Sequence, residues 1–259
     1  MRNDVAGIGV RGETSLRRGL SLLDTFRRGE RELSLTQIAR RAGIPKSTAH
    51  RLIGELVAWG GLERTEDGLL RLGMRIFELG KSVPLQNELA DVARPFLDDL
   101  YNITHKTVNL AVAHGLEIVY VEKIEAPDAP TVSRPGERYP IHCTALGKAI
   151  LAFSPPALSD RVIQRGLIAR TSHSITSVAL FRKELAGVRS THLAFDREEL
   201  VPGLFCIATP IFDSSGHLLG AISVSSLESM AGARNLGPAL LTISRAMSRE
   251  LGEHVVASA

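Results

Sequence analysis

Residues Ser34–Ile53 read SLTQIARRAGIPKSTAHRLI, and this stretch decides the fold of the N-terminal third. Ser34-Leu35-Thr36-Gln37 is a capping box, in which the Ser hydroxyl accepts from the backbone three residues on and the Gln reaches back. A helix therefore begins at Ser34, and Gly43 stops it. Pro45 suits the first turn of the next helix, where its missing N–H would have no partner anyway. In that helix Ala49, Leu52, Ile53 and Leu56 share one face. Lys46, Ser47, His50, Arg51 and Gly54 take the other, with Thr48 at the border.

Upstream, Leu16, Leu20, Leu23 and Phe26 recur at helical spacing and predict one apolar stripe on a first helix that stops at Gly29. Downstream, Leu62–Thr65 and Leu69–Leu72 flank Glu66-Asp67-Gly68, and Asp-Gly between short alternating runs signals a hairpin. Helix, short glycine turn, helix and hairpin make a winged helix-turn-helix. Such a unit lays its recognition helix in the major groove of double-stranded DNA, N-terminal residues toward the base edges. The expected contacts are Lys46, Ser47, Thr48, His50 and Arg51 on that helix and Arg64 on the hairpin. Thr36 and Gln37 would hold a phosphate on the free N–H groups that open the preceding helix. A helical domain built for protein contacts would also expose such cations, so the charge distribution matters. Residues 1–85 carry 15 Lys and Arg against 10 Asp and Glu, whereas the remaining 174 residues carry 16 against 18. The positive excess lies wholly where a polyanion would bind.

Beyond the hairpin, Gly73–Lys81 predicts a short amphipathic helix, and 87–104 a longer one that Pro95 either kinks or restarts. Strands follow at 107–113 and 117–125, then a Pro-rich loop at 126–140 and helices at 145–153, 156–165 and 177–190. Strands at 204–212 and 218–225 and a helix at 236–252 complete the pattern. This order predicts an α+β fold, an antiparallel sheet with helices packed on it. A length of 259 residues suits two domains, and 44% hydrophobic with 23% charged residues is ordinary for a soluble protein. No apolar run approaches the roughly 20 residues that span a bilayer. The first ten residues lack the apolar segment of a secretory signal, so a cytoplasmic chain with no membrane partner is expected. Two cysteines, Cys143 and Cys206, are too few for a disulfide framework. Residues 1–13 are expected to form a disordered arm. Their Gly7-Ile8-Gly9-Val10-Arg11-Gly12 matches a dinucleotide fingerprint, but no strand fits before it.

Three N-terminal stretches, SLRRGLSLL (15–23), LTQIA (35–39) and IPKSTAHRLI (44–53), resemble the isocitrate lyase regulator (IclR) family. RPG (134–136) leading to PIHCTALGKA (140–149), and FDREELVPGLFCIATPI (195–211), resemble that family's effector-domain signatures. The wing departs from the pattern: Leu70-Arg71-Leu72-Gly73 lacks the aromatic residue that often precedes the closing Leu-Gly pair. The resemblance implies a transcription regulator with a winged helix-turn-helix at 14–73, a helical linker at 74–104 and a GAF-like effector domain at 105–259. It also implies homodimers or homotetramers on a pseudo-palindromic operator, and a small organic acid as effector. Carried over by position, the effector contacts are Thr144, Ala145, Asp196, Cys206, Ser223 and Ser225. N–H groups at the Thr144–Ala145 helix start suit a carboxylate, and serines two apart on a strand share a face. Each residue also has a plainer role: Cys206 as small core filler, Asp196 as a cap for 197–199, the serines as polar surface.

Two other classes fit less well. A hydrolase would pair Cys206 as thiolate with His142 as base, but no third residue or oxyanion motif accompanies them. A metal sensor would gather His142, Cys143, Asp196 and Cys206, yet no C-x-x-C or H-x-x-H spacing exists among them. No cofactor, metal or catalytic residue is expected.

Overall fold

Local signals account for most of the elements in the computed structural model, which describes residues 14–127, 133–226 and 229–257. The expected arm at 1–13, with its Gly-rich fingerprint, lies outside them. The chain divides into two units between Pro84 and Leu85, inside the stretch expected as a linker.

In the first unit the Thr14 hydroxyl accepts from Arg17 N–H to start α1 (Ser15–Asp24), which continues as a 3-10 turn, Thr25–Arg28, and ends at Gly29. The predicted stripe is corrected here. Leu22 and Phe26, four apart, enter the core, while Leu16 and Leu20 stay 73% and 52% exposed. The helix carries leucines on two faces, and periodicity alone cannot say which one a neighbour covers. The capping box at Ser34 forms as read and opens α2 (Leu35–Ala42). Gly43, at φ +67, turns the chain into α3 (Lys46–Trp59), with Pro45 immediately before its first residue rather than inside it. Ala49, Leu52 and Ile53 of α3 pack with Leu22, Ile38 and Ile44. Strands β1 (Leu62–Arg64) and β2 (Leu70–Leu72) pair antiparallel across a turn in which Gly68 N–H donates to Thr65 C=O. Leu33 bridges to Leu70 and ties this wing to the start of α2. Helix α4 (Met74–Lys81) follows.

The second unit begins with one unbroken helix, α5 (Pro84–Thr104), with Pro95 inside it. Then come β3 (Thr107–His114), β4 (Glu117–Ile124), β5 (Arg138–Pro140), a 3-10 turn at Ile141–Cys143, α6 (Ala145–Phe153), α7 (Pro156–Arg165) and α8 (Val178–Thr191). β6 (Ala194–Arg197), β7 (Phe205–Phe212), β8 (Leu218–Ser226), α9 (Met230–Asn235) and α10 (Gly237–Ala257) complete it. The six strands form one antiparallel sheet in the order β5-β4-β3-β8-β7-β6. Both faces are covered, which is why the central strands read as near-continuous apolar runs. Val108, Leu110, Ile207, Ile222 and Val224 pack with Leu97 and Leu100 of α5 and Leu240 and Met247 of α10. Ala111, Tyr120, Cys206, Ala208 and Ala221 point the other way, toward α6, whose residues Ala145–Ala152 are all buried. Strands β5 and β6 and helix α9 were not anticipated; each is six residues or shorter.

Candidate functional site

In the first unit, α3 presents Lys46, Ser47, His50 and Arg51 to solvent, with Thr48 half-buried beside them. Arg64 is exposed on β1, within the same unit. The Gly43-Ile44-Pro45 turn is fixed by Ile44, buried, whose N–H donates to Ala39 C=O at 3.0 Å. One expectation needs correcting. Gln37 N–H is not free for a phosphate, because it donates to Ser34 Oγ at 3.3 Å, and its side-chain Oε1 accepts from Ser34 N–H at 2.8 Å. The capping box that positions α2 uses the donor assigned to phosphate. Thr36 is exposed, and its N–H lies in the first turn, where helices leave donors unpaired.

In the second unit, sheet register brings the predicted effector residues together. Asp196 of β6 pairs with Cys206 of β7, Cys206 with Ser225 of β8, and Ser225 with Thr107 of β3. In the adjacent row Ser223 lies between Ala208 and Asn109. Because side chains alternate along a strand, Asp196, Cys206, Ser223, Ser225 and Asn109 all face α6. Asn109 Nδ2 donates to Ser223 Oγ at 3.3 Å and to Ser225 Oγ at 3.5 Å, and Ser133 Oγ donates to Asn109 Oδ1 at 3.4 Å. Cys206 Sγ donates to Ser225 Oγ at 3.5 Å. A polar strip thus crosses a buried, otherwise apolar sheet face. Sequence reasoning missed Asn109, Ser133 and Tyr120. Asn109 sits two residues before Ala111 on the inward face of β3, so alternation marks it once the facing helix is known.

Thr144 and Ala145 start α6, which packs on β3, β6, β7 and β8. Thr144 Oγ1 accepts from Gly147 N–H at 3.0 Å, so the hydroxyl caps the helix and is engaged within the protein. Gly147 is needed here: a Cβ would lie 1.9 Å from the carbonyl oxygen of Ile141.

Burial sets the protonation states. It pushes the Asp196 carboxyl up to about 7, against the opposing effect of Glu199 N–H, which donates to Asp196 Oδ1 at 2.7 Å. Asp196 therefore does cap the residues after it, across a turn rather than a helix. Burial, with Asp196 nearby, pushes the Cys143 thiol up to about 12 and raises Cys206 and the Tyr120 phenol as well. Neutral, buried thiols are poor nucleophiles and poor metal ligands. His142 bonds through Nε2 to Ile168 C=O at 3.0 Å, and burial lowers its pKa, while Cys206 has Ser225 as its partner. The Cys–His arrangement of a hydrolase does not form. Among the described residues, no three His, Cys, Asp or Glu side chains converge as a metal site, and no helix is long and apolar enough to cross a membrane.

One further feature was not foreseen. Lys148 of α6 is wholly buried, ion-paired to Glu199 and 3.4 Å from Glu184, which in turn accepts from Arg197 at 2.8 Å. A fully buried lysine inside an apolar helix is visible in sequence only as a polar interruption of ALGKAILAF.

Residues 15–66 match the IclR helix-turn-helix domain, and residues 83–251 match the C-terminal domain of the bacterial transcriptional regulator IclR. The chain is 33% identical to the HTH-type transcriptional regulator XynR of Escherichia coli K12, over 92% of this chain and 97% of that one. It is 32% identical to the transcriptional repressor IclR of the same organism, over 82% and 79%. Among solved structures it is similar to an IclR homolog from Microbacterium hydrocarbonoxydans complexed with 4-hydroxybenzoate, with TM-score 0.84, 27% identity, and 92% and 99% of the two chains covered. The Thermotoga maritima IclR is similar with TM-score 0.76 and 29% identity, covering 92% and 98%.

Proposed function

The chain belongs to the IclR family of bacterial transcriptional regulators, and we propose that it binds a pseudo-palindromic operator as a homodimer or homotetramer under the control of a small organic acid. The observation that carries the effector half is the polar strip Asn109, Ser223, Ser225, Cys206 and Asp196 on the buried face beneath α6. N–H groups at Thr144–Ala145 hold the carboxylate, the serines and Asn109 meet further polar atoms, and an Asp196 carboxyl pushed up to about 7 is neutral below that pH, which lessens the repulsion of an anion. Lys46, Ser47, Thr48, His50 and Arg51 read the major groove, Arg64 reaches the backbone or minor groove, and the first turn of α2 at Thr36 holds a phosphate.

Exposed apolar side chains support self-association. Leu16 and Leu20 on α1, and Met74 and Phe77 on α4, which buries none of its residues, suit a second copy. The helices of 74–104 carry the effector's influence to the paired DNA-binding units. A coupling of about 1–3 kcal/mol changes operator affinity roughly 5–150-fold. The protonated thiols, and the engagement of His142 with Ile168 C=O and of Cys206 with Ser225, favour a regulator without catalysis over an enzyme.

The test is fluorescence anisotropy of the full chain on its own upstream intergenic DNA across a salt series, with and without organic acids, 4-hydroxybenzoate first. Sequence-selective affinity that falls steeply with salt and shifts several-fold with an acid is expected. Weak, sequence-indifferent binding overturns the operator half, and an acid that binds tightly without altering operator affinity overturns the switch.

A further inference from the structure

A cleft of about 600 Å³ opens at the end of the sheet where the β3–β4 turn, β5 and the loop after α7 meet. Its walls carry three guanidinium groups, Arg138, Arg165 and Arg170, against one carboxylate, Glu117, whose nearest oxygen lies 3.7 Å from Arg138. His114 does not add to the negative side: its Nδ1 faces Arg138 Nη1 at 2.7 Å and so accepts from it. The remaining lining is largely apolar, with Leu116, Pro140, Val162 and Ile168, and Ile168 is 64% exposed. Arginines clustered around an apolar floor match one ligand chemistry. Guanidinium forks pair with carboxylate or phosphate in two-point geometry, and a cleft of this size takes a small organic molecule.

This cleft is not the strip beneath α6. The 3-10 turn Ile141–Cys143 separates the two: His142 lines the cleft, while Cys143 lies within electrostatic reach of Asp196. We propose that the cleft is a second ligand site, for a small organic anion carrying two or more negative charges on an apolar skeleton. Because the same turn leads directly into α6, occupancy here bears on the first helical turn that the effector uses.

Two probes separate the possible sources of charge: phthalate, with two carboxylates on a ring, and phenyl phosphate. Each is titrated calorimetrically into the full chain at fixed ionic strength, since surface charge is screened by salt. Saturable binding of at least one probe is expected, and the probe that binds identifies carboxylate or phosphate. The Arg165→Ser/Arg170→Ser variant, altered at two exposed positions, should weaken that binding about tenfold or more, roughly 1.4 kcal/mol per decade. Ile168→Glu places a carboxylate at the mouth without disturbing the core and should weaken it similarly. Ser223→Ala/Ser225→Ala, on the other face of the turn, should leave probe affinity within about twofold. Absence of saturable binding by both probes overturns the proposal. So does equal binding by the arginine variant, or loss confined to the serine variant, which would place the probe beneath α6 instead.

Discussion

The ammonium of Lys148 is paired with the carboxylate of Glu199 in the interior of the second unit, both side chains essentially without solvent contact. Only one oxygen of that carboxylate is used; Glu199 Oε2 has no hydrogen-bond partner among the described residues. Removing one member of a buried pair strands the other charge and costs about 3–5 kcal/mol, whereas replacing both by apolar groups is often neutral or favourable. Lys148→Met should therefore destabilise the second unit by that amount in urea unfolding. Lys148→Met with Glu199→Met should recover most of the loss, since Glu184 keeps Arg197. Equal destabilisation by the single and double variants would show that packing, not charge, governs the site.

Asp196 makes stability and ligand binding depend on pH in a stated direction. Its carboxyl titrates near 7 when folded because it is buried, far above its unfolded range. Between about pH 4 and about pH 7 the folded chain keeps a proton that the unfolded chain has released, so stability falls as pH rises through this window, by up to about 1.4 kcal/mol per unit, and levels off above it. Asp196→Asn should flatten that slope. Affinity for an anionic effector should likewise decline as pH rises through about 7 in the parent chain and hold steady in the variant. An unchanged pH profile in Asp196→Asn would mean that another group titrates.

Asn109 organises the strip by donating to both serines. Asn109→Ala leaves the buried Ser223 hydroxyl without its Asn109 donor and takes from buried Ser133 its Asn109 acceptor, while half-buried Ser225 keeps Cys206, and it removes one side chain of the site. Effector affinity should fall by about tenfold or more, with a stability loss of roughly 1–3 kcal/mol for the unsatisfied groups. Asn109→Ser, which keeps a donor, should lose less. Calorimetry with the acid found to shift operator binding distinguishes the two.

What could be read from sequence followed from how local the cause is. The capping box at Ser34, the glycine turn at Gly43 and the Asp67-Gly68 hairpin each depend on a few neighbouring residues, and each forms. The leucines of α1 needed knowledge of which face a neighbour covers, so Leu22 was overlooked in favour of Leu16 and Leu20. β5 and β6 are too short for alternation to register, and both exist because longer strands offer them an edge. In the site, the row of Asp196, Cys206 and Ser225 came from likeness to a family. Asn109 and Lys148 instead depend on partners 114 and 51 residues away, which no local pattern encodes.

Gly147 offers a test of how closely the start of α6 must approach the turn before it. A methyl group there would sit 1.9 Å from Ile141 O and 2.6 Å from Thr144 Oγ1, both within the segment that caps the helix. No side-chain rotation relieves a clash with backbone, so Gly147→Ala must displace either the 3-10 turn or the first turn of α6. Overpacking of this kind costs about 1–3 kcal/mol, at times more, and here it also moves the donors assigned to the effector carboxylate. The variant should unfold its second unit at lower urea and bind effector at least about tenfold more weakly, a loss beyond what reduced stability explains when measured well below the unfolding midpoint. Operator binding without effector should persist, because the first unit folds on its own core of Leu22, Ile38, Ile53 and Leu70. Wild-type effector affinity in Gly147→Ala would show that the helix start is not where the carboxylate is held, and would shift the assignment toward Asn109 and the serines.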